Sequence, residues 1–438
     1  MKRLLSAMLV LILMLTLVVP VALADEGKKS GAFTYQIKGN GTATIIGYDW
    51  DTMKGQDIFI PRMLDGYTVT EIADEAFATI AYDKNRILSS SLEKGGAGSL
   101  VIPDTVKTIG EKAFWGVEFA TKIITIPQSV EYIGAGAFSN IFGIEKFEVV
   151  SGNPVYTTID GVLYNKREKM LVSFPHNKET TNFTIPDGIK HIEDYAFWNT
   201  EITEGTTSFP STLETIGEFS FGRTFRDRPK GIFKIVFPAS LMEMKKGAFY
   251  ELYGDFTFDL SKTKIKEISA YTFATSVIYP YDNTYKDAAR MDVLFPSELK
   301  TIGDSAFLNK FIRFKKLPSS VVEIKNNAFR DVRFYSSFAI DSDSELQTIG
   351  EYAFSGCSML GSLFLPPKLE VIGSHAFSDS EDLETLTIPS SVKSIGEDFC
   401  DRSKVYLNVE AGSYAALYAS ENGYMVNSVE EEDTSWLD

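Results

Sequence analysis

Cysteine and histidine are scarce: two and three residues in a chain of 438. Two thiols cannot build a disulfide framework. Cys357 and Cys400 lie almost two repeats apart in the periodicity described below. Strand stacking at about 4.8 Å per layer would then hold them about 10 Å apart, beyond disulfide reach. Both read as small buried apolar residues. His176, His191 and His375 fall into no H-x-x-H or Cys-paired spacing, so no metal site and no cofactor is expected. A phosphate-cradling G-x-x-x-x-G-K-[ST] is also missing. Positive charge is short as well: 43 Lys and Arg face 59 Asp and Glu, a formal net charge of −16. Nucleic acid needs clustered cations, so it is excluded as a partner. Past the N-terminus there is no second apolar run of about 20 residues to span a bilayer.

The one long apolar run is at the start. Lys2 and Arg3 open a basic segment, LLSAMLVLILMLTLVVPVALA follows, and Ala22-Leu23-Ala24 sets small residues where a signal peptidase reads. Residues 1–24 are therefore expected to be a signal peptide cleaved before Asp25. No cysteine follows for lipid attachment. Loss of Lys2 and Arg3 takes the charge from −16 to −18, and the mature chain is expected outside the cell, without a membrane span.

Phenylalanine is plentiful, at 32 residues, and it recurs. TIGEKAFWG at 108–116 is echoed by ETIGEFSFG (214–222), KTIGDSAFL (300–308), QTIGEYAFS (347–355) and EVIGSHAFS (370–378). The unit is about 22–24 residues long, as the steps from Phe307 to Phe329 and from Phe114 to Phe138 show. It reads apolar-Pro, two variable residues, Val/Leu/Ile, two variable, Ile-Gly, two variable, Ala-Phe. Its Phe falls at 77, 114, 138, 197, 221, 249, 273, 307, 329, 354 and 377, and a twelfth unit puts Phe399 one place early with Cys400 in the Phe slot. Short alternating strands such as Ile124-Thr125-Ile126 turn apolar residues inward. Proline at 103, 127, 186, 210, 238, 296, 318, 366 and 389 ends each strand, because it lacks an N–H for the ladder. Glycine allows a tight turn, yet Ala73, Glu193, Lys245, Ser269 and Lys325 share its slot, which argues against a strict positive φ. A small residue before Phe marks a crowded site. One unit cannot bury its own face, so the units must stack. The expectation is a β-rich solenoid with a parallel sheet, whose Phe rings form a single continuous spine.

Four segments interrupt the period. AYDKNRILSSSLEKGGAGS follows Phe77, and NPVYTTIDGVLYNKREKMLVSFP, with Asp160-Gly161 as a turn, predicts a β-hairpin insertion at about 142–182. RTFRDRPKG (223–231) and TSVIYPYDNTYKDAARMD (275–292) are the others. The expected order is an N-terminal β cap at 25–66, the solenoid at 67–400, a C-terminal cap at 401–427 and an acidic tail at 428–438. Within the second cap a helix is predicted at roughly 412–422, with Ser413 as N-cap and Asn422-Gly423 as stop.

VKTIGEKAF, SVEYIGAGAF and IPSSVKSIGE resemble the BspA-like leucine-rich repeat family. FTYQIKGNGTATIIGY is similar to its entry segment, GNPVYTTIDGVLYNK…LVSFP to its insertion, and EAGSYAALYASENGY to its closing segment. The resemblance covers about residues 33–427. It implies a right-handed leucine-rich-repeat coil, here of about 12 units. It also implies a bacterial secreted or surface protein, of a kind that in some members adheres to host matrix proteins or other cells. The family has no catalytic residues to carry over, and no enzyme is expected.

Binding candidates come instead from the inserts. Tyr279, Tyr281 and Tyr285 in IYPYDNTY offer large contact area for a protein or a sugar ring. Arg223, Arg226, Arg228 and Lys230 make the one dense basic run, suited to anionic glycans or acidic protein patches. Local packing and a solvated loop are the alternatives for the two segments. Outward sheet residues Val101, Thr125, Thr184 and Thr387 are bland. Glu111, Glu218, Glu351 and Glu397 share the slot after Ile-Gly and are expected to face solvent. Extracellular proteins or glycans of a host or neighbouring cell are the expected partners, met by a monomer; an exported spacer without a ligand is the third reading.

Overall fold

The computed structural model describes residues 27–53, 55–79, 96–178, 183–200, 209–224, 232–252, 254–276, 290–358 and 360–427. The expected signal peptide and acidic tail lie outside them. The chain forms a parallel β-solenoid of about 14 turns with almost no helix.

Each coil has three segments. In most coils the first is an extended segment that ends in proline, whose carbonyl accepts the N–H three residues on, as in Leu299 N to Pro296 O, at 3.1–3.4 Å across the series; the coils of Ile268 and Ile349 lack this proline. The second is a two-residue strand, in register with its neighbours: Ile302 pairs with Ile268 on one side and Ile324 on the other. The third is the turn carrying Ala-Phe. There the Phe N–H donates to the carbonyl of the Ala slot in the next coil, for example Phe307 to Ala328 at 2.8 Å and Phe354 to Ala376 at 2.7 Å. Coils in such contact leave the Ala slot no room, and Ala306, Ala328 and Ala353 are fully buried.

Where a glycine stands before this turn, the preceding coil approaches it closely. A Cβ on Gly134 or Gly373 would lie 2.5 Å from the Glu111 or Glu351 backbone nitrogen of the preceding coil. Ala73, Glu193, Lys245, Ser269 and Lys325 hold the slot in other coils, so the close approach is met locally and not in every unit. Positive φ falls two residues later, on Glu75, Lys112, Tyr195, Phe219, Tyr271, Ser305, Asn327, Tyr352, His375 and Asp398, and on Gly136 and Gly247. The second variable position is therefore the left-handed corner of every unit.

The variable residues after proline have a role too. Ser129, Thr212, Ser240, Ser320 and Ser391 each donate a hydroxyl to the preceding coil, at Val106 O, Ile189 O, Leu213 O, Leu299 O and Leu369 O, over 2.6–2.7 Å. This forms a hydroxyl ladder along one edge.

All eleven phenylalanines of the repeat are at most 1% exposed. Their rings stack at 4.9 Å (77–114), 5.4 Å (114–138), 4.6 Å (197–221), 5.2 Å (307–329) and 5.4 Å (354–377). The single spine expected from sequence is, however, two columns. Phe138 turns to Phe147, and the second column begins at Phe174, whose ring stacks on Phe197 at 5.0 Å and whose N–H donates to Ala196 O.

Between the columns stands a partition. Tyr156–Ile159, Val162–Asn165 and Met170–Ser173 form an antiparallel trio, and Met170–Ser173 then pairs in parallel with His191–Ile192. Alternate residues face opposite cores: Leu163 and Val172 pack upstream, Val162, Tyr164 and Leu171 downstream. Asp160 and Gly161 make its turn with positive φ. A strand buried on both faces has no polar side, which is why this segment lacks the repeat pattern.

Outside the columns a second aromatic cluster crosses the break. Trp115 reaches Tyr195 at 5.4 Å and Trp198 at 5.8 Å, and Tyr195 stacks on Phe219 at 5.8 Å. Gly136 lies between Lys112 and Tyr195, and its missing side chain leaves Lys112 4.5 Å from the Tyr195 ring.

The ends differ from the middle. Lys28–Ser30, Phe33–Ile37 and Thr42–Tyr48 are antiparallel before Thr42–Tyr48 joins Tyr67–Ile72 in parallel. Buried Tyr35 donates to Asp65 at 2.7 Å, and this hydrogen bond pushes the phenol up to about 12 while lowering the Asp65 carboxyl. At the other end helix Tyr414–Asn422 is capped by the Ser413 hydroxyl, which accepts from Ala416 N, and stops at Gly423 with φ 71°. Phe399 leaves the column and packs on Tyr424 at 5.0 Å. Cys400 occupies the Phe slot, and both cysteines are free and buried.

Candidate functional site

A solenoid with an invariant interior can vary only outward, so the solvent faces of its sheets are where recognition chemistry can sit. One such face stands apart. Ile232–Val236, Asp255–Asp259, Arg290–Leu294, Phe311–Ile312 and Arg333–Phe334 form a parallel five-stranded sheet. Phe256, Met291, Ile312 and Phe334 face inward in register and are buried. The flanking positions point outward in two rows. The first row is Ile232, Asp255, Arg290, Phe311 and Arg333; the second carries Lys234, Thr257 and Asp292 and continues through Arg313 and Tyr335.

These residues hold one another. The Arg290 guanidinium lies 5.1 Å from the Tyr335 ring centre and Arg333 lies 5.3 Å from that of Phe311. Arg313 donates to Asp255 at 2.9 Å, and Asp255 also accepts from the Arg290 backbone N–H at 2.8 Å. Lys234 pairs with Asp259 at 3.1 Å. Tyr335 remains 68% exposed. The result is a pre-arranged arginine and aromatic surface with one large exposed ring.

Below one end of this sheet is a buried polar hub. Glu251, fully buried, accepts from Arg223 Nε at 2.6 Å and from the Ser276 hydroxyl. Buried Lys310 donates to Leu252 O at 3.2 Å, and burial pushes its ammonium down to about 7 against the opposing pull of Glu251. Burial also raises the Tyr250 phenol, with the Glu251 charge adding to the effect. Thr224 and Ser276 end the described segments before 225–231 and 277–289, and Ile232 and Arg290, the next described residues, begin strands of the five-stranded sheet.

Of the predicted site residues, Tyr279, Tyr281, Tyr285, Arg226 and Arg228 lie outside the described residues, as does Lys230. Arg223 is committed inward, to Glu251 and to the Trp198 ring at 5.8 Å. His191 shares a 2.8 Å hydrogen bond with the Thr215 hydroxyl, His375 stacks on Tyr352 at 4.7 Å, and His176 packs on Phe142 at 4.5 Å. Among the described residues no group of three or more His, Cys, Asp or Glu could hold a metal ion. None of their helices is long and apolar enough to cross a membrane. Glu111, Glu351 and Glu397 are exposed, and Glu218 is half-buried. Sequence reasoning missed Arg290, Phe311, Arg313, Arg333 and Tyr335. Their signal was available: an outward strand position directly before or after an inward one, filled by Arg or an aromatic in three consecutive coils.

Stacked coils of this kind, with short in-register strands and a Phe column, define a leucine-rich-repeat solenoid. The chain matches the BspA type leucine rich repeat region in six copies, over residues 85–180, 205–279 and 280–405, and belongs to that family. No curated protein matches it. Among solved structures it is similar to a leucine-rich repeat protein from Eubacterium ventriosum ATCC 27560, with 19% identity and a TM-score of 0.45 over 80% of this chain and 93% of that one. A leucine-rich repeat protein from Bacteroides ovatus ATCC 8483 gives 19% identity and 0.38 over 91% and 99%. A leucine rich cell surface protein from Faecalibacterium prausnitzii A2-165 gives 17% and 0.26 over 92% and 98%. Family and fold are typically non-enzymatic, and the family suggests a role in protein interaction.

Proposed function

We propose that this chain is an extracellular adhesion solenoid that binds macromolecules on a host or neighbouring cell surface, without cofactor or catalysis. The observation that carries this reading is the outward face built by Arg290, Phe311, Arg313, Arg333 and Tyr335 over a wholly apolar row. Arginine and tyrosine dominate the energetic centres of protein interfaces, because each brings a large rigid contact and a polar tip. Here they also come pre-ordered by stacking, which lowers the entropy cost of binding. Residues 1–24 act as the export signal, 25–66 and 401–427 cap the coils of 67–400, and the mature chain works as a monomer.

The test is a panel of extracellular matrix and bacterial surface proteins, set beside a glycan array, probed with residues 25–438. A protein hit that weakens about tenfold in Tyr335→Ala supports the reading, the size expected of an aromatic hot spot. Binding confined to glycans replaces it with a polysaccharide-binding role, which the exposed Tyr335 ring favours. Silence on both leaves an exported spacer. N-terminal sequencing of the secreted product should begin at Asp25.

A further inference from the structure

We propose that the outward face of the last sheet is a second binding site, which receives a neutral glycan through two exposed aromatic rings. It stands beside the interaction reading above rather than on it. Gly361–Phe364, Leu383–Ile388, Tyr406–Val409 and Met425–Val426 form a parallel four-stranded sheet. Leu363, Leu386 and Leu407 point inward in register and are buried. The residues on either side of them point outward in two rows. One row is Ser362, Thr385, Tyr406 and Met425; the other is Phe364, Thr387 and Asn408, continued by Asn427.

Phe364 is 64% exposed and Tyr406 is 46% exposed, at diagonal positions of this face. Two strand spacings of about 4.8 Å and two residues of about 3.3 Å set their Cα atoms about 12 Å apart. Thr385 and Thr387 lie between them, so the rings do not merge into the continuous apolar centre typical of a protein interface. A hexose has the complementary form, with C–H groups on its ring faces and hydroxyls around its rim. The electron-rich face of each aromatic ring can take one sugar face, and a trisaccharide spans the gap.

The polar residues of the face are already aligned. Asn408 Nδ2 donates to Thr387 Oγ1 at 3.0 Å, and Asn427 Nδ2 donates to Asn408 Oδ1 at 2.8 Å. These bonds fix the direction of both amides before a ligand arrives, which lowers the entropy cost of binding sugar hydroxyls. The chain is 23% charged, yet neither row holds Asp, Glu, Lys, Arg or His. Glu384, in the bulge before Thr385, and Glu410, beyond Val409, are exposed and flank the rows. With a net charge of −16 behind them, they repel an anionic polymer and leave an uncharged one free to bind.

The test is affinity gel electrophoresis of the intact mature protein through neutral β-glucan, glucomannan and arabinoxylan, beside anionic polygalacturonate and alginate. The expected result is retardation by at least one neutral polymer, unchanged by added salt. Phe364→Ala/Tyr406→Ala should raise the apparent Kd at least about tenfold, through loss of both stacking faces. Asn408→Ala should raise it about fivefold, one hydrogen bond's worth, and Tyr335→Ala should leave it unchanged. No retardation by any neutral polymer, retention by the anionic polymers alone, equal loss in Tyr335→Ala, or binding that survives the double variant would each overturn the proposal. Thermal melts establish that each variant is folded. A protein hit that depends on Tyr335, with no glycan retardation, sinks this inference alone. Retardation lost in the double variant, beside a silent protein panel, sinks the adhesion reading alone.

Discussion

The coils before and after the partition use the same nine-residue turn yet form separate cores. Upstream, Phe77, Phe114 and Phe138 stack under a short run of coils and an antiparallel cap. Downstream, Phe174 starts a longer column that runs to Phe377. Among the described residues, the upstream strand pairs turn outward Phe59 and Val101, and Thr125, Lys146 and Glu148, with no arginine among them. The repeat alone therefore does not decide what a coil does. Its outward positions decide that, and its neighbours decide which core it joins.

The sharpest way to break this comparison is to empty one ring site on each side. Phe307→Ala and Phe114→Ala should each cost about 3–5 kcal/mol, the range for a fully buried Phe. Calorimetry should show the first lowering only a downstream transition and the second only an upstream one. A single shared transition shifted equally by both would mean that the two cores melt as one.

Next in size is Lys310. Its folded pKa, about 7, lies below the 10.5 of a free lysine. Between those values the unfolded chain holds a proton that the folded chain has released, so stability rises as pH climbs from about 7 to about 10. The burial penalty is fully present below about 7. The slope should approach ~1.4 kcal/mol per pH unit, one proton's worth. Lys310→Met should flatten it, read by urea melts at several pH values; an unchanged slope would remove Lys310 as its source.

The smallest effect distinguishes edge from core. Ser320→Ala removes one rung of the hydroxyl ladder, at Leu299 O, and should cost about 1 kcal/mol. A loss as large as that of Phe307→Ala would mean that the ladder carries the stacking.

Much of this architecture was legible because identical physics acts on every coil. Burial makes Phe recur, and close approach makes the Ala slot small. Ser413 and Gly423 were readable since helix caps need particular side chains. Phe174 was not, because it follows an antiparallel strand and lacks the preceding Ala. The left-handed corner was invisible for the opposite reason. Residues as different as Lys112, Tyr195, Phe219 and Asp398 occupy it, so its geometry comes from the coil's closure rather than from the residue. The outer cluster of Trp115, Tyr195 and Trp198 joins coils that sequence spacing sets far apart. The arginine face carries no repeat signal because its residues sit in slots that the repeat leaves free to vary.

The double-sided partition works as a bulkhead in an otherwise open tube. Damage or fraying that starts at one end meets a wall whose two surfaces belong to different compartments. Gene duplication can use the same wall: one more downstream coil lengthens the rod by about 4.8 Å and leaves every packing partner of Leu163 and Val172 as it was. Reach can thus evolve on one side of the wall while the other keeps its shape.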